Sequence, residues 1–177
     1  ICLSYKSMHS QGRLQTKSSH FSIKSGKMTM HEIMKGMNPK TVYVAGPLFA
    51  EGARWGIEQL AQPLVERGFE TFLPHRDNPE KTPETVQLIF ENNRNAIQDS
   101  DLVVANLNGI TTDDGTAWEL GYAAALGKPA IGVFTDWRSR FEGEELVNLM
   151  ISRSLNQTVR SLNELSDALK KWELDSE

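Results

Sequence analysis

The sequence predicts an α/β protein: a doubly wound, parallel five-stranded sheet of flavodoxin-like, Rossmann-like order, forming a three-layer sandwich. Three observations predict it. Short β-branched runs (TVYVAG, ETFLP, LVVANL, PAIGVF) alternate with longer stretches of helical period, the pattern of βαβ units around a parallel sheet. The runs and helices are punctuated by glycine and proline, as at Gly46-Pro47 and Gly127. A chain of 177 residues with 39% hydrophobic content can bury one good core and leaves little for a second domain.

Taken in order, TVYVAG from Thr41 is the first strand, and Gly46-Pro47 breaks it into a loop. A helix follows from about Glu51 to Arg67, with Ile57, Leu60, Ala61 and Leu64 recurring at helical spacing. ETFLP is a short second strand. Pro83 suits the first turn of a helix running to about Gln98, with Val86, Ile89, Phe90 and Ile97 as its buried stripe. LVVANL is the third strand. Gly115 can turn the backbone sharply and Thr116 can cap a helix from Thr116 to Leu126, which Gly127 closes. PAIGVF is the fourth strand. Glu144 to Ser152 and Leu162 to Trp172 read as two last helices, with a weak strand around Thr158 to Arg160 between them.

Composition removes several classes of function. Residues 1–38 carry Lys6, Arg13, Lys17, Lys24, Lys27 and Lys35 against the single acid Glu32, are rich in serine and hold no sustained period. They are expected to be a disordered or non-native tail. Their basic, acid-poor character has the flavour of a transit peptide, whereas Met28, Met30, Met34 and Met37 offer later start sites. Residues 39–177 then form a single domain with a net charge of about −9, which argues against nucleic acid as a partner. The apolar runs YAAAL and LVVANL are far too short to cross a bilayer, so no membrane is expected and the default location is the cytoplasm. A lone Cys2 excludes an internal disulfide framework and a CxxC site, and His9, His20, His31 and His75 show no HxxxH or HxH spacing. No metal or other cofactor is expected.

Doubly wound sheets bind ligands beyond the carboxyl ends of their strands. That rule puts Tyr43 to Pro47, Asn106 to Asn108 and Phe134 to Asp136 on one rim, together with the Asp113-Asp114-Gly115 loop and Glu119. A cleft holding Glu119, Asp113, Asp114 and Asp136 would be strongly acidic, poorly suited to a phosphate and well suited to a substrate that becomes cationic, such as an oxocarbenium ion. Near the first turn of its helix, Glu119 is expected to stay ionised, as a carboxylate nucleophile must. A surface residue compensating the helix dipole is the competing reading.

Five segments carry a resemblance: VYVAGPLF (Val42 to Phe49), SDLVVANL (Ser100 to Leu107), DDGTAWELGYAAALGKP (Asp113 to Pro129), TDWR (Thr135 to Arg138) and VNLM (Val147 to Met150). In this order and spacing they resemble the nucleoside 2-deoxyribosyltransferases, with the 2'-deoxynucleoside 5'-phosphate N-hydrolases as cousins, over roughly residues 41 to 153. The resemblance implies that Glu119 attacks C1' of a deoxyribose, expels the base and forms a glycosyl ester, from which an incoming base takes the sugar with retention. It implies that Asp113 or Asp114, with Asp113 preferred, donates a proton to the departing base. The other acid forms a turn and cap with Gly115. Tyr43 would orient the nucleophile and Phe49 would line the base pocket. Gly46, Asp114, Gly115 and Met150 would stand against the substrate, and Asn148 would reach from a neighbouring subunit to the sugar 5'-hydroxyl. Its amide suits a neutral alcohol. The implied partners are a small-molecule nucleoside, a free nucleobase and further copies of the chain.

One departure stands out: Asn93 occupies a place where many members of that family carry Asp, so it can contact sugar or base but cannot transfer a proton. This leaves N-glycoside hydrolysis of nucleosides or nucleoside 5'-monophosphates as an alternative. A non-catalytic nucleotide-binding module is a third reading, and the complete set of Tyr43, Asp113, Glu119 and Asn148 argues against it. Asp136 and Arg138 can pair structurally at the rim or shape the base pocket, and the structural role is preferred.

Overall fold

The computed structural model describes residues 40–136 and 147–175. The chain lays down β1 (Thr41–Ala45), α1 (Glu51–Glu66), β2 (Glu70–Phe72), the single-turn α2 (Pro74–Asp77), α3 (Val86–Asp99), β3 (Leu102–Asn106), α4 (Asp114–Ala125), β4 (Ala130–Val133), the short α5 (Leu149–Ser152), β5 (Gln157–Val159) and α6 (Leu162–Asp175). All neighbouring strands pair in parallel in the order β2-β1-β3-β4-β5. This is the doubly wound arrangement, with its switch between β1 and β3.

Alternation along the strands divides the core. Val42, Val44, Leu102 and Val104 face α1 and α6, where they meet Ile57, Leu60, Leu64, Leu165 and Leu169. Tyr43, Ala45, Val103 and Ala105 face the opposite layer and pack with Ile97, Leu120 and Ala123 of α3 and α4. Both central strands are therefore shielded on both sides, and their residues from Val42 to Ala45 and from Leu102 to Ala105 expose nothing.

Most element bounds follow the periodicity, and the exceptions have physical reasons. ETFLP is strand only to Phe72, because Leu73 and Pro74 start α2, whose Asp77 Oδ2 accepts from the Leu73 N–H at 2.8 Å. The helix expected from Pro83 opens as a turn, with Thr85 N–H donating to Thr82 O at 3.1 Å, and becomes α-helical at Val86. Its apolar stripe is not buried as expected. Ile97 is fully enclosed, but Val86 and Phe90 keep 46% and 44% of their surface, since this half of α3 overhangs the rim of the sheet. α4 starts at Asp114, so Asp113 is its N-cap in place of Thr116, and Gly115 lies inside the first turn without turning the chain. Gly127 closes α4 as expected, at φ 68°. Residues 1–39, Arg138 and Glu144 to Leu146, on which the tail, the rim pair and the start of one helix were placed, lie outside the described residues.

Candidate active site

The carboxyl ends of β1 and β2 and the amino ends of α3 and α4 enclose a cleft of about 640 Å³. Its position follows from the switch in strand order between β1 and β3. The close approach of β1 to α1 depends on Gly46, where a Cβ would lie 2.2 Å from Ile57 Cδ1.

Beside this cleft, Tyr43 and Glu119 meet across the two layers. Tyr43 points from β1 toward α4, its ring stacked on Phe72 with centroids 5.5 Å apart, and its Oη donates to Glu119 Oε1 at 2.5 Å. Burial, reinforced by the Glu119 charge and the hydrogen bond, pushes the Tyr43 phenol up, so it stays a donor. Glu119 belongs to the second turn of α4, beyond the free N–H groups at its start. Burial pushes its carboxyl up to about 7, the Tyr43 hydrogen bond opposes this, and the nearby Asp113 charge adds to it. The expectation of a firmly ionised Glu119 is thereby corrected: desolvation outweighs the helix dipole, which fades within the first turn.

Asp113 Oδ2 accepts from the Thr116 N–H at 3.0 Å and from the Thr116 hydroxyl at 3.1 Å. Gly115 leaves space for this acid, since a Cβ there would lie 3.2 Å from Asp113 Oδ2. Gly46, Phe49, Asn93, Asp113, Gly115 and Glu119 all line the cleft.

Asp114, Asn148 and Met150 do not line it. They border a second cavity of about 660 Å³, between the β3–α4 loop and α5. Asp114 Oδ1 accepts from the Gly115 N–H at 2.8 Å, and Asn148 caps α5 by accepting from the Met150 N–H at 2.9 Å. Asp136 is also absent from the lining of the Glu119 cleft. The strongly acidic cleft expected from the sequence is replaced by a mixed one, because Arg54 and Lys81 line it together with the acids. Sequence reasoning missed these two, together with His75 and Asn78. The last two follow β2 directly, so the rule of strand carboxyl ends could have found them. Among the described residues, no group of three or more His, Cys, Asp or Glu is placed to hold a metal ion, and no helix is long and apolar enough to cross a membrane.

The doubly wound domain carries a buried tyrosine–carboxylate pair at its switch point, where such folds bind small ligands, and comparison gives the family. The family model for nucleoside 2-deoxyribosyltransferase matches residues 42–150, so the chain belongs to the nucleoside 2-deoxyribosyltransferase family. The chain is similar to a 2-deoxyribosyltransferase from Bacillus psychrosaccharolyticus, at 29% identity and TM-score 0.62, covering 71% of this chain and 90% of that one. It is also similar to a 2-desoxiribosyltransferase from Leishmania mexicana, at 26% identity and TM-score 0.50, covering 64% of this chain and 85% of that one. A conserved protein from Enterococcus faecalis shares the fold, at 24% identity and TM-score 0.64, covering 76% of this chain and 99% of that one. The search of curated proteins found no match. Membership supports an enzymatic activity of the deoxyribosyltransferase kind in general.

Proposed function

We propose that the protein is a nucleoside 2-deoxyribosyltransferase that moves 2-deoxyribose between nucleobases through a glycosyl ester on Glu119. The observation that carries this reading is the Tyr43 Oη to Glu119 Oε1 hydrogen bond of 2.5 Å beside a cleft that also holds Asp113. The ionised carboxylate attacks C1' while the N-glycosidic bond breaks and its electron pair leaves with the base. Asp113 gives a proton to a ring nitrogen of that base through the oxygen not used in capping. A nitrogen of the incoming base then attacks C1' from the opposite face, its proton passing to Asp113 as the C1'–O ester bond breaks and frees the Glu119 carboxylate. Two inversions retain the configuration.

Asn148 and Met150 are exposed beside a different cavity of their own chain, which fits residues offered to a neighbouring copy. In this reading the protein is a homo-oligomer whose sites are shared.

A second reading is hydrolysis of a nucleoside or its 5'-monophosphate, with water resolving the same ester. It is favoured by Arg54 and Lys81, two cations beside Glu119 able to meet a phosphate. Chromatography after mixing the protein with deoxyinosine and adenine separates the two. Deoxyadenosine formed by wild type and absent with Glu119→Ala supports transfer. Hypoxanthine without deoxyadenosine, or release of base from 5'-monophosphates alone, moves the assignment to hydrolysis.

A further inference from the structure

Asn93 follows Ile89 and Phe90 by one turn of α3, and all three line the cleft, so its amide is a polar point set into an apolar wall. Which end of that amide is left free is decided by a chain of hydrogen bonds through Asn78, which lines the same cleft. The carbonyl of Pro74 can only accept, so the Asn78 atom 3.0 Å from it is Nδ2. The same Nδ2 lies 2.6 Å from an amide atom of Asn93, which must accept and is therefore Oδ1. Asn92 Nδ2 donates to Asn78 Oδ1 at 3.2 Å, which agrees with this assignment. Asn93 Nδ2, with both of its protons, makes no hydrogen bond to any of the described residues.

We propose that Asn78 is a positioning residue that locks Asn93 as a hydrogen-bond donor toward the nucleobase, so that the cleft selects bases presenting an exocyclic oxo group over those presenting an amino group in its place. This rests on the nucleoside reading above. An oxo base offers its oxygen to the Asn93 amide protons. An amino base sets donor against donor at Asn93 and leaves both unpaired in a partly buried wall.

The test is isothermal titration of free bases into the full chain, comparing hypoxanthine with adenine and uracil with cytosine. Wild type is expected to bind the oxo member of each pair more tightly, by about tenfold. In Asn78→Asp the carboxylate accepts where Nδ2 donated, so Asn93 turns its Nδ2 away from the cleft and presents Oδ1. The preference then shifts toward the amino base by a similar factor, although the substituted residue touches no reacting atom. Asn93→Leu weakens the discrimination in both pairs. An equal or reversed preference in wild type, an unchanged ratio in folded Asn78→Asp, full discrimination retained in Asn93→Leu, or no binding of any base overturns the proposal. If Asn78→Asp does not fold, Asn93→Leu decides the question. Free bases bind without reacting, so a protein that discriminates them but transfers nothing upholds this inference and defeats only the transfer reaction.

Discussion

Glu119 carries a charge that its surroundings resist. The folded chain holds its proton up to about 7, against a reference value of 4.5 for an unhindered glutamate. Between these values the folded state binds a proton that the unfolded state has released, so stability falls as pH rises through this window and levels off above about 7. Glu119→Gln keeps an oxygen for the Tyr43 hydroxyl and removes the ionisation. The variant is expected to be more stable than wild type at pH 8, by up to about 3 kcal/mol, and nearly equal to it at pH 4. Denaturant titrations at both pH values measure the difference, and a gap that does not widen with pH contradicts the assignment. Turnover runs in the opposite sense, because only the ionised form is a nucleophile: activity rises with pH through about 7, and Glu119→Gln has none. The Tyr43 hydrogen bond lowers the Glu119 value, so Tyr43→Phe moves the acid limb of kcat/KM to higher pH and cuts the rate at pH 7 about tenfold or more. A profile of reduced height and unmoved limb would show that Tyr43 does not act through the Glu119 charge.

At the scale of elements, α4 carries structure and chemistry in one residue. Asp113 caps the helix through Oδ2 and raises the Glu119 value through its charge. Asn is as good an N-cap as Asp but cannot give a proton, so Asp113→Asn keeps the helix start, lowers kcat and moves the acid limb of the remaining activity to lower pH. Asp113→Ala shifts the limb in the same direction and additionally destabilises the fold by about 1 kcal/mol. Melting temperatures of the two variants, read beside their pH profiles, separate the roles, and equal melting temperatures would argue against the cap. This doubling explains why the helix start was only partly legible. Asp113, Asp114 and Thr116 are all residues that can cap, and local preference cannot choose among them. The strands and their order were legible, because β-branched runs and helical periods are local signals. The stripe of Val86, Ile89 and Phe90 was legible as an apolar face, but periodicity does not say whether such a face meets a core or a cleft. His75 and Asn78 were legible only through the rule of strand carboxyl ends, and Arg54 and Lys81 not at all. Arg54 and Lys81 reach the cleft because the start of α1 and the β2–α3 connection close over the same rim, a juxtaposition of distant segments without local signature.

At the scale of the whole molecule, the surface left by a single copy is the remaining argument. Leu149 and Met150 expose 60% and 71% of their surface next to Asn148, while the cleft around Glu119 lies elsewhere on the same chain. Apolar side chains clustered at such exposure beside a polar residue suit contact with another copy. If sites are shared, each combines the Glu119 of one subunit with the Asn148 of its neighbour, and the two functions can be separated genetically. Glu119→Ala and Asn148→Ala are each expected to be inactive or nearly so as pure proteins. Co-expressed in equal amounts, they assemble mixed oligomers in which one type of site regains both an intact Glu119 and an intact Asn148. For a dimer with random pairing, about a quarter of the sites are restored. Specific activity of the co-expressed material near that fraction of wild type establishes sharing, whereas activity no higher than the mean of the two pure variants places every functional residue of a site in one chain. Light scattering of the same preparation gives the number of subunits, and a monomer would by itself exclude the shared arrangement.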